Sequence, residues 1–461
     1  MTLEQEQSDD AFDCLPDHLV YAIMALAGRL DGCLATSTSI RRDAIAAATR
    51  LKVGCGIRFP LITSKLQNLR DIDCSDTDVS DLSQLAACTV LQALDCRNTC
   101  VSDLSPLAAC IDLHALDCSG TYVSDLSPLI ACTGLRSLAC RNTGVSDLSP
   151  LMACVGLRSL DCSNISFSAV SDLSPLTACT GLTSLDCTGS AVIDLSPLRE
   201  CMVLASLQCA GIDVGDLSPL AGCAMLVSLD CRACTQVSDL SPLAACTLLT
   251  SLHCARTHVS DLSPLAACAA LRTLDCWETD VSDLSPLAAC TALMHLSCWR
   301  TGVYDLTPLA ACTSMRELDF RQTDVIDLSP LASCTALHTL YICDTYVNDL
   351  SPLATCTALT DLYCDDTCVA DLSPLTNCTA LAYLNCDNTH VSDISPLRAC
   401  TALVSLSCRD TDVDDLSPLA ALQGLNTDVD DLSPLVTGME MGDVNVFRAA
   451  FDQTYAHGVF A

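Results

Sequence analysis

Cysteine, aspartate and a few histidines carry most of the chemistry open to this sequence. There are 36 cysteines and eight histidines among 461 residues. Thiols could form disulfides, hold metal or act as nucleophiles beside a base. Cys231 and Cys234 make one C-x-x-C, with no second pair at zinc spacing. Fourteen cysteines recur as the last residue of L-x-x-[LI]-x-C, from Cys74 to Cys408, and fifteen more close [PQ]-L-x-x-C, from Cys88 to Cys400. Such regular placement on apolar positions reads as small buried hydrophobes. The aspartate of V-S-D-L recurs from Asp81 to Asp431. A calcium ladder would need more ligands than one carboxylate per unit supplies, so a structural turn role is expected. The histidines are scattered, and no G-x-S-x-G, H-E-x-x-H or P-loop is present. The chain reads as a non-enzyme without cofactor or metal.

A second set of residues suits recognition. The only two tryptophans, Trp277 and Trp299, lie 22 residues apart. Around them, by the same spacing, fall His253, Arg256, Arg272, His295, Arg300, Arg316 and Arg321, followed by Tyr341, Tyr363 and Tyr383. Tryptophan, tyrosine and arginine are the types enriched at binding hot spots. Asp73, Asp95, Asp117, Asp161, Asp186, Asp230, Asp275 and Asp319 share one further position, which turns to His253, Ser297, Tyr341, Tyr363, Asn385 and Ser407 elsewhere. Both groups are expected to face outward from strands, on a concave surface.

What positions them is a 22-residue unit, L-x-x-L-D-C-x-x-T-x-V-S-D-L-S-P-L-A-A-C-T-x. Sixteen full units begin at Leu69 and a truncated one begins at Leu425. The unit at Leu157 carries three extra residues within Ser163 to Ala169, and that at Leu226 one near Thr235. L-x-x-L-x-C alternates as a short strand with one buried face. The Thr and Val positions turn the chain. S-P-L-A-A-C reads as a short helical turn with Ser as cap and Pro at the first helical position. One such coil cannot bury its apolar side, and stacking does so.

These residues resemble a leucine-rich repeat, L-x-x-L-x-L-x-x-N-x-L, with Cys for the third Leu and Thr for the Asn. The trailing D-L-S-P-L is similar to the short class found in internalins. The resemblance implies an α/β horseshoe-like solenoid over 69–435. Thr supplies one hydroxyl where Asn could satisfy two backbone groups.

Composition limits the partners. Against 22 Lys+Arg stand 56 Asp+Glu, a net charge of −34, and the pI is about 4.2. Duplex nucleic acid and anionic membranes both call for a basic footprint, so neither is expected. Hydrophobic residues make up 50% of the chain, too many for a disordered acidic tail. Residues 1–12 read as an acidic, disordered start with no signal-peptide pattern. A soluble monomer with reduced thiols is expected, in the cytoplasm or nucleus.

The first 68 residues lie outside the repeat. Leu19, Ile23, Leu26 and Leu30 recur at helical spacing, and an Ala-rich helix is expected to run through Leu51. Residues 13–52 resemble an F-box, on Leu15-Pro16-Asp17, the apolar spacing Leu19/Ile23/Leu26, Cys33-Leu34 and Ile40-Arg41-Arg42. The aromatic usual before the Arg pair is Ile40 here. The resemblance implies that Leu15, Pro16, Leu19 and Ile23 bind a Skp-type adaptor of an SCF ubiquitin ligase. Residues 53–68 then form a linker or cap, and 436–461, with Phe447, Phe451 and Tyr455 at i, i+4, i+8, a closing helix. Two readings follow: a ligase substrate receptor whose concave face binds an unidentified substrate, and an interaction scaffold with a helical cap and no ligase link.

Overall fold

The computed structural model describes residues 50–52, 68–164, 170–421 and 426–428. The chain divides into two compact units, Met1–Leu204 and Ala205–Ala461. The first holds seven described strands, from Arg50–Lys52 through Asp71–Asp73 to Ser184–Asp186, and the second holds eleven, from Ser206–Gln208 to Asn426–Asp428. Within each unit successive strands pair in parallel. In the second unit the register couples equivalent unit positions, as in Thr273↔His295, Leu274↔Leu296 and Asp275↔Ser297. A sequence column is therefore a spatial ladder whose rungs lie about 4.8 Å apart.

Each strand is three residues long, with its middle leucine buried and its flanking residues half-buried in most coils, as in Thr273–Asp275. Leu271, Leu274, Val281, Leu284 and Leu287 are buried, together with Cys276 and Cys290. All cysteines among the described residues are free thiols, and all but Cys100 and Cys368 are buried. The thiols also extend the ladder: Cys132 Sγ donates to the carbonyl of Cys110 at 3.4 Å, and Cys140 Sγ to that of Asp161 at 3.4 Å. Phe320 and Ile342 replace the strand cysteine in two coils and are fully buried. The Cys231-x-x-Cys234 pair is structural, since Cys234 Sγ donates to the carbonyl of Cys209 at 3.0 Å.

The return segment is a five-residue 3-10 turn, as in Ser285–Ala289. Among the described residues no α-helix occurs, which corrects the α/β expectation to parallel strands with 3-10 turns. Five residues with Pro at the second leave too few i→i−4 bonds for an α-helix. The cap is also reassigned. The Ser285 N–H donates to Asp283 Oδ1 at 2.7 Å, and its hydroxyl to Oδ2 at 2.9 Å, so Asp rather than Ser accepts. That accounts for the recurring V-S-D-L carboxylate. Thr279 Oγ1 donates to the Cys276 carbonyl at 2.5 Å, securing the turn after the strand. Glu278, just before that threonine, has φ of 50°, and the same position is left-handed at Asn98, Gly120, Arg300 and Asp366.

One terminal expectation is also corrected. Arg50–Lys52 is a strand rather than a helix end, and it pairs in parallel with Asp71–Asp73. It covers the edge that the first repeat strand would otherwise leave open. Lys52 Nζ reaches Asp73 at 2.8 Å. Leu15, Pro16, Leu19, Ile23 and the closing segment 436–461 lie outside the described residues.

Candidate docking face

Strand alternation sends the leucine of each strand inward and its two neighbours to the open face of the sheet. In the second unit that face collects the aromatic and basic residues singled out above. Trp277 and Trp299 occupy the same position of consecutive coils, and their rings stack at 4.9 Å between centroids with 12° between planes. Tyr341 and Tyr363 do likewise, at 4.7 Å and 12°.

Arg321 joins the two pairs. It follows the tryptophans in their own column, and its guanidinium lies 5.7 Å from the Trp299 centroid and 5.0 Å from that of Tyr341. Five consecutive coils thus contribute one stack, Trp277–Trp299–Arg321–Tyr341–Tyr363. Cation–π attraction of ~0.5–2 kcal/mol per contact favours that order. Burial pushes the Tyr341 hydroxyl up to about 12, so it stays protonated and a donor at neutral pH.

The other named residues frame the stack. Arg300 Nη1 donates to Glu278 at 2.7 Å and its Nε to Gln322 at 2.6 Å, while its guanidinium also covers Trp299 at 5.3 Å. Arg256 reaches the same Glu278 at 3.6 Å. His295 Nδ1 lies 3.2 Å from Glu317. Tyr383 sits on the strand next to that of Tyr363, in register with Asp361, and is 42% exposed. Arg272 and Arg316 are exposed beside the tryptophan coils.

The aspartate ladder differs in part from expectation. Asp275 is half-buried, but Asp230 and Asp319 are buried. Each is gripped by the arginine two residues on, Arg232 at 2.7 Å and Arg321 at 2.8 Å. Elsewhere the same carboxylates accept backbone N–H bonds, as Asp117 does from Ser119 at 3.0 Å. Besides facing outward, this column braces the turn.

Sequence reading also missed a Ser–His–Asp sequence of contacts. His253 Nε2 lies 2.8 Å from Ser251 Oγ, and its Nδ1 pairs with Asp275 Oδ2. The order is that of a nucleophile, base and orienting acid. The adjoining N–H groups cannot form an oxyanion hole, because Ser251, Thr273 and Cys254 spend theirs on the carbonyls of Val227, Thr250 and Asp275. The trio is a polar rung between coils. Its signal was legible as S-L-H on one strand with Asp 22 residues beyond the His.

The chain matches no protein-family model, and no curated protein sequence is similar to it. Solved structures do share the fold. An internalin, inlF, from Listeria monocytogenes is 23% identical, covering 84% of this chain and 94% of its own, with a TM-score of 0.54. The functional domain of InlJ from the same organism, described as including a cysteine ladder, is 23% identical over 88% and 83%, with a TM-score of 0.62. A leucine-rich-repeat protein of Leptospira interrogans reaches a TM-score of 0.69 at 13% identity, over 85% and 98%. The fold is that of a leucine-rich repeat.

Proposed function

We propose that this chain is a protein-interaction module that docks a partner on the open sheet face of its second unit. The carrying observation is the five-coil stack from Trp277 to Tyr363. Half-buried aromatic rings outside the core, held rigid by Arg321, offer large contact area at little entropic cost on binding. His253, Arg256, His295, Arg300 and Tyr383 provide its polar rim. The near-identical core of every coil leaves this face as the place where coils differ.

The reading extends to the amino-terminal segment. A Skp-type adaptor bound through Leu15, Pro16, Leu19 and Ile23 would make the chain the substrate receptor of an SCF-type ubiquitin ligase. Its support is the likeness of those residues to an F-box. Without adaptor binding, the chain is an interaction scaffold.

Two pulldowns test these layers separately. Purified Skp-type adaptor is offered to the full chain and to Leu15→Asp/Pro16→Ala/Leu19→Asp. Capture by the parent alone supports the receptor, and capture by neither leaves the scaffold. Quantitative capture from a cell extract then compares the parent with Trp277→Ala/Trp299→Ala and with Ile130→Ala/Met152→Ala, an exposed pair of the first unit. Proteins lost only with the tryptophans support docking on the stack. An unchanged set refutes it.

A further inference from the structure

Beyond Tyr341 the charge balance of the open face changes. Residues 337–397 hold eight aspartates and no lysine, arginine or glutamate. Three of the eight, Asp349, Asp371 and Asp393, cap turns by accepting the backbone N–H of Ser351, Ser373 and Ser395. Of the other five, Asp361 and Asp365 act on the Tyr363 hydroxyl, and Asp387 accepts from the Ser407 hydroxyl at 2.7 Å and the Arg409 backbone N–H at 2.6 Å. Asp344 accepts from the Gln322 amide at 3.0 Å, Asp361 from the Thr360 hydroxyl at 2.5 Å, and Asp365 from the Cys343 thiol and the Asn385 amide, each at 2.9 Å. None of these donors is a cation.

Two of these carboxyls register the imbalance. Burial, with the charges of Asp366 and Asp387, raises Asp365 above the ordinary carboxylate value. Burial, with Asp344, raises Asp366. Meanwhile the chain shows how a cation sits on this face. The Arg321 guanidinium lies over the Tyr341 ring while its Nε and Nη2 meet Asp319. Tyr363 and Tyr383 continue the tyrosine surface past that point, within a stretch, residues 337–397, whose sequence holds no lysine or arginine.

We infer that the tyrosine face of residues 337–397 docks an arginine-bearing extended segment of a partner protein, whose guanidinium groups repeat on Tyr363 and Tyr383 the seat that Arg321 takes on Tyr341. Asp361, Asp365 and Asp366 supply the opposite charge. Arginine suits this better than lysine, because its planar head can stack on a ring and still fork onto a carboxylate. The inference rests on the docking reading above and adds the partner's chemistry.

The test uses the full chain and a fluorescent peptide of alternating arginine and serine, with lysine and glutamate counterparts, at about 0.15 M salt. The arginine peptide is expected to bind best and the glutamate peptide not at all. Asp361→Asn/Asp366→Asn should weaken arginine-peptide binding about fivefold or more, and Tyr363→Leu should erode the preference over lysine. Asp112→Asn/Asp213→Asn removes equal charge from exposed positions elsewhere and should leave binding within about twofold. Equal loss in both aspartate pairs, or no binding by the parent, overturns the inference. Partner capture that still depends on Trp277 and Trp299 would then leave the docking reading standing without its basic ligand.

Discussion

Arg321 holds Asp319 through two parallel bonds, Nε to Oδ1 at 2.9 Å and Nη2 to Oδ2 at 2.8 Å. The pair is the joint between the tryptophan and tyrosine halves of the stack. Arg321→Ala would leave a buried carboxylate without its cation. The cost should be about 2 kcal/mol, below the ~3–5 kcal/mol of a fully enclosed pair because Arg321 is partly exposed. Asp319→Ala/Arg321→Ala should be less destabilised than Arg321→Ala alone, which thermal unfolding of the three variants checks.

Trp299 touches both Trp277 and the Arg321 guanidinium. Trp299→Ala should remove about 1–2 kcal/mol of stability, from one aromatic contact and two cation–π contacts, with Arg300 and Arg321. It should also abolish the coupled indole signal in near-ultraviolet circular dichroism. Trp299→Phe should restore most of the stability. Unchanged near-ultraviolet spectra in Trp299→Ala would mean that the rings do not stack in solution.

The turn-capping aspartates set an acid limit on stability. Backbone N–H bonds from Ser83, Ser127, Ser263 and Ser395 hold Asp81, Asp125, Asp261 and Asp393 below the ordinary carboxylate value. A carboxylate depressed in the folded state contributes stability above its unfolded value, and loses it as pH falls through the folded one. Asp365 and Asp366 act in the opposite sense, since raised groups favour the fold at low pH and lose that contribution as pH rises. The depressed group is the larger, so the melting temperature should fall once pH drops below about 4. A melting temperature that rises with acid would contradict the capping role.

Burial pushes the thiols up, Cys110 and Cys312 to about 12 and Cys154 and Cys246 to about 11. Little thiolate forms near neutrality, so these cysteines should resist alkylation. Peptide mapping after brief iodoacetamide treatment should find Cys100 and Cys368 as the fast sites among residues 68–421, because they alone are exposed there. The other cysteines of that stretch should react only on unfolding. Early modification of Cys276 or Cys290 would show that the core opens locally.

The fold was legible because each coil repeats the same apolar positions. A leucine at a fixed unit position, such as Leu274 or Leu296, can bury its side chain only by stacking on its neighbours. The tryptophan pair followed from column arithmetic. Arg321 was named beside it, but its bridge crosses from the tryptophan column to that of Tyr341, and a single-column reading does not see diagonal contacts. The left-handed turn residue was also missed. Asn98, Asn142, Gly120, Gly211 and Asp366 at one position were its signal, obscured by Arg256, Glu278 and Arg300 in the same place. The Asp cap was mistaken for a Ser cap because both flank the same leucine, and only the bond directions separate them.

The docking claim is tested most directly by photo-crosslinking with p-benzoylphenylalanine placed at His295, on the strand that leads to Trp299, and at Met152, on an exposed surface of the first unit. The account predicts a discrete partner adduct from position 295 that disappears in the Trp299→Ala background, and none from position 152. Adducts of equal yield at both positions, or an adduct at 295 that survives loss of Trp299, would contradict it.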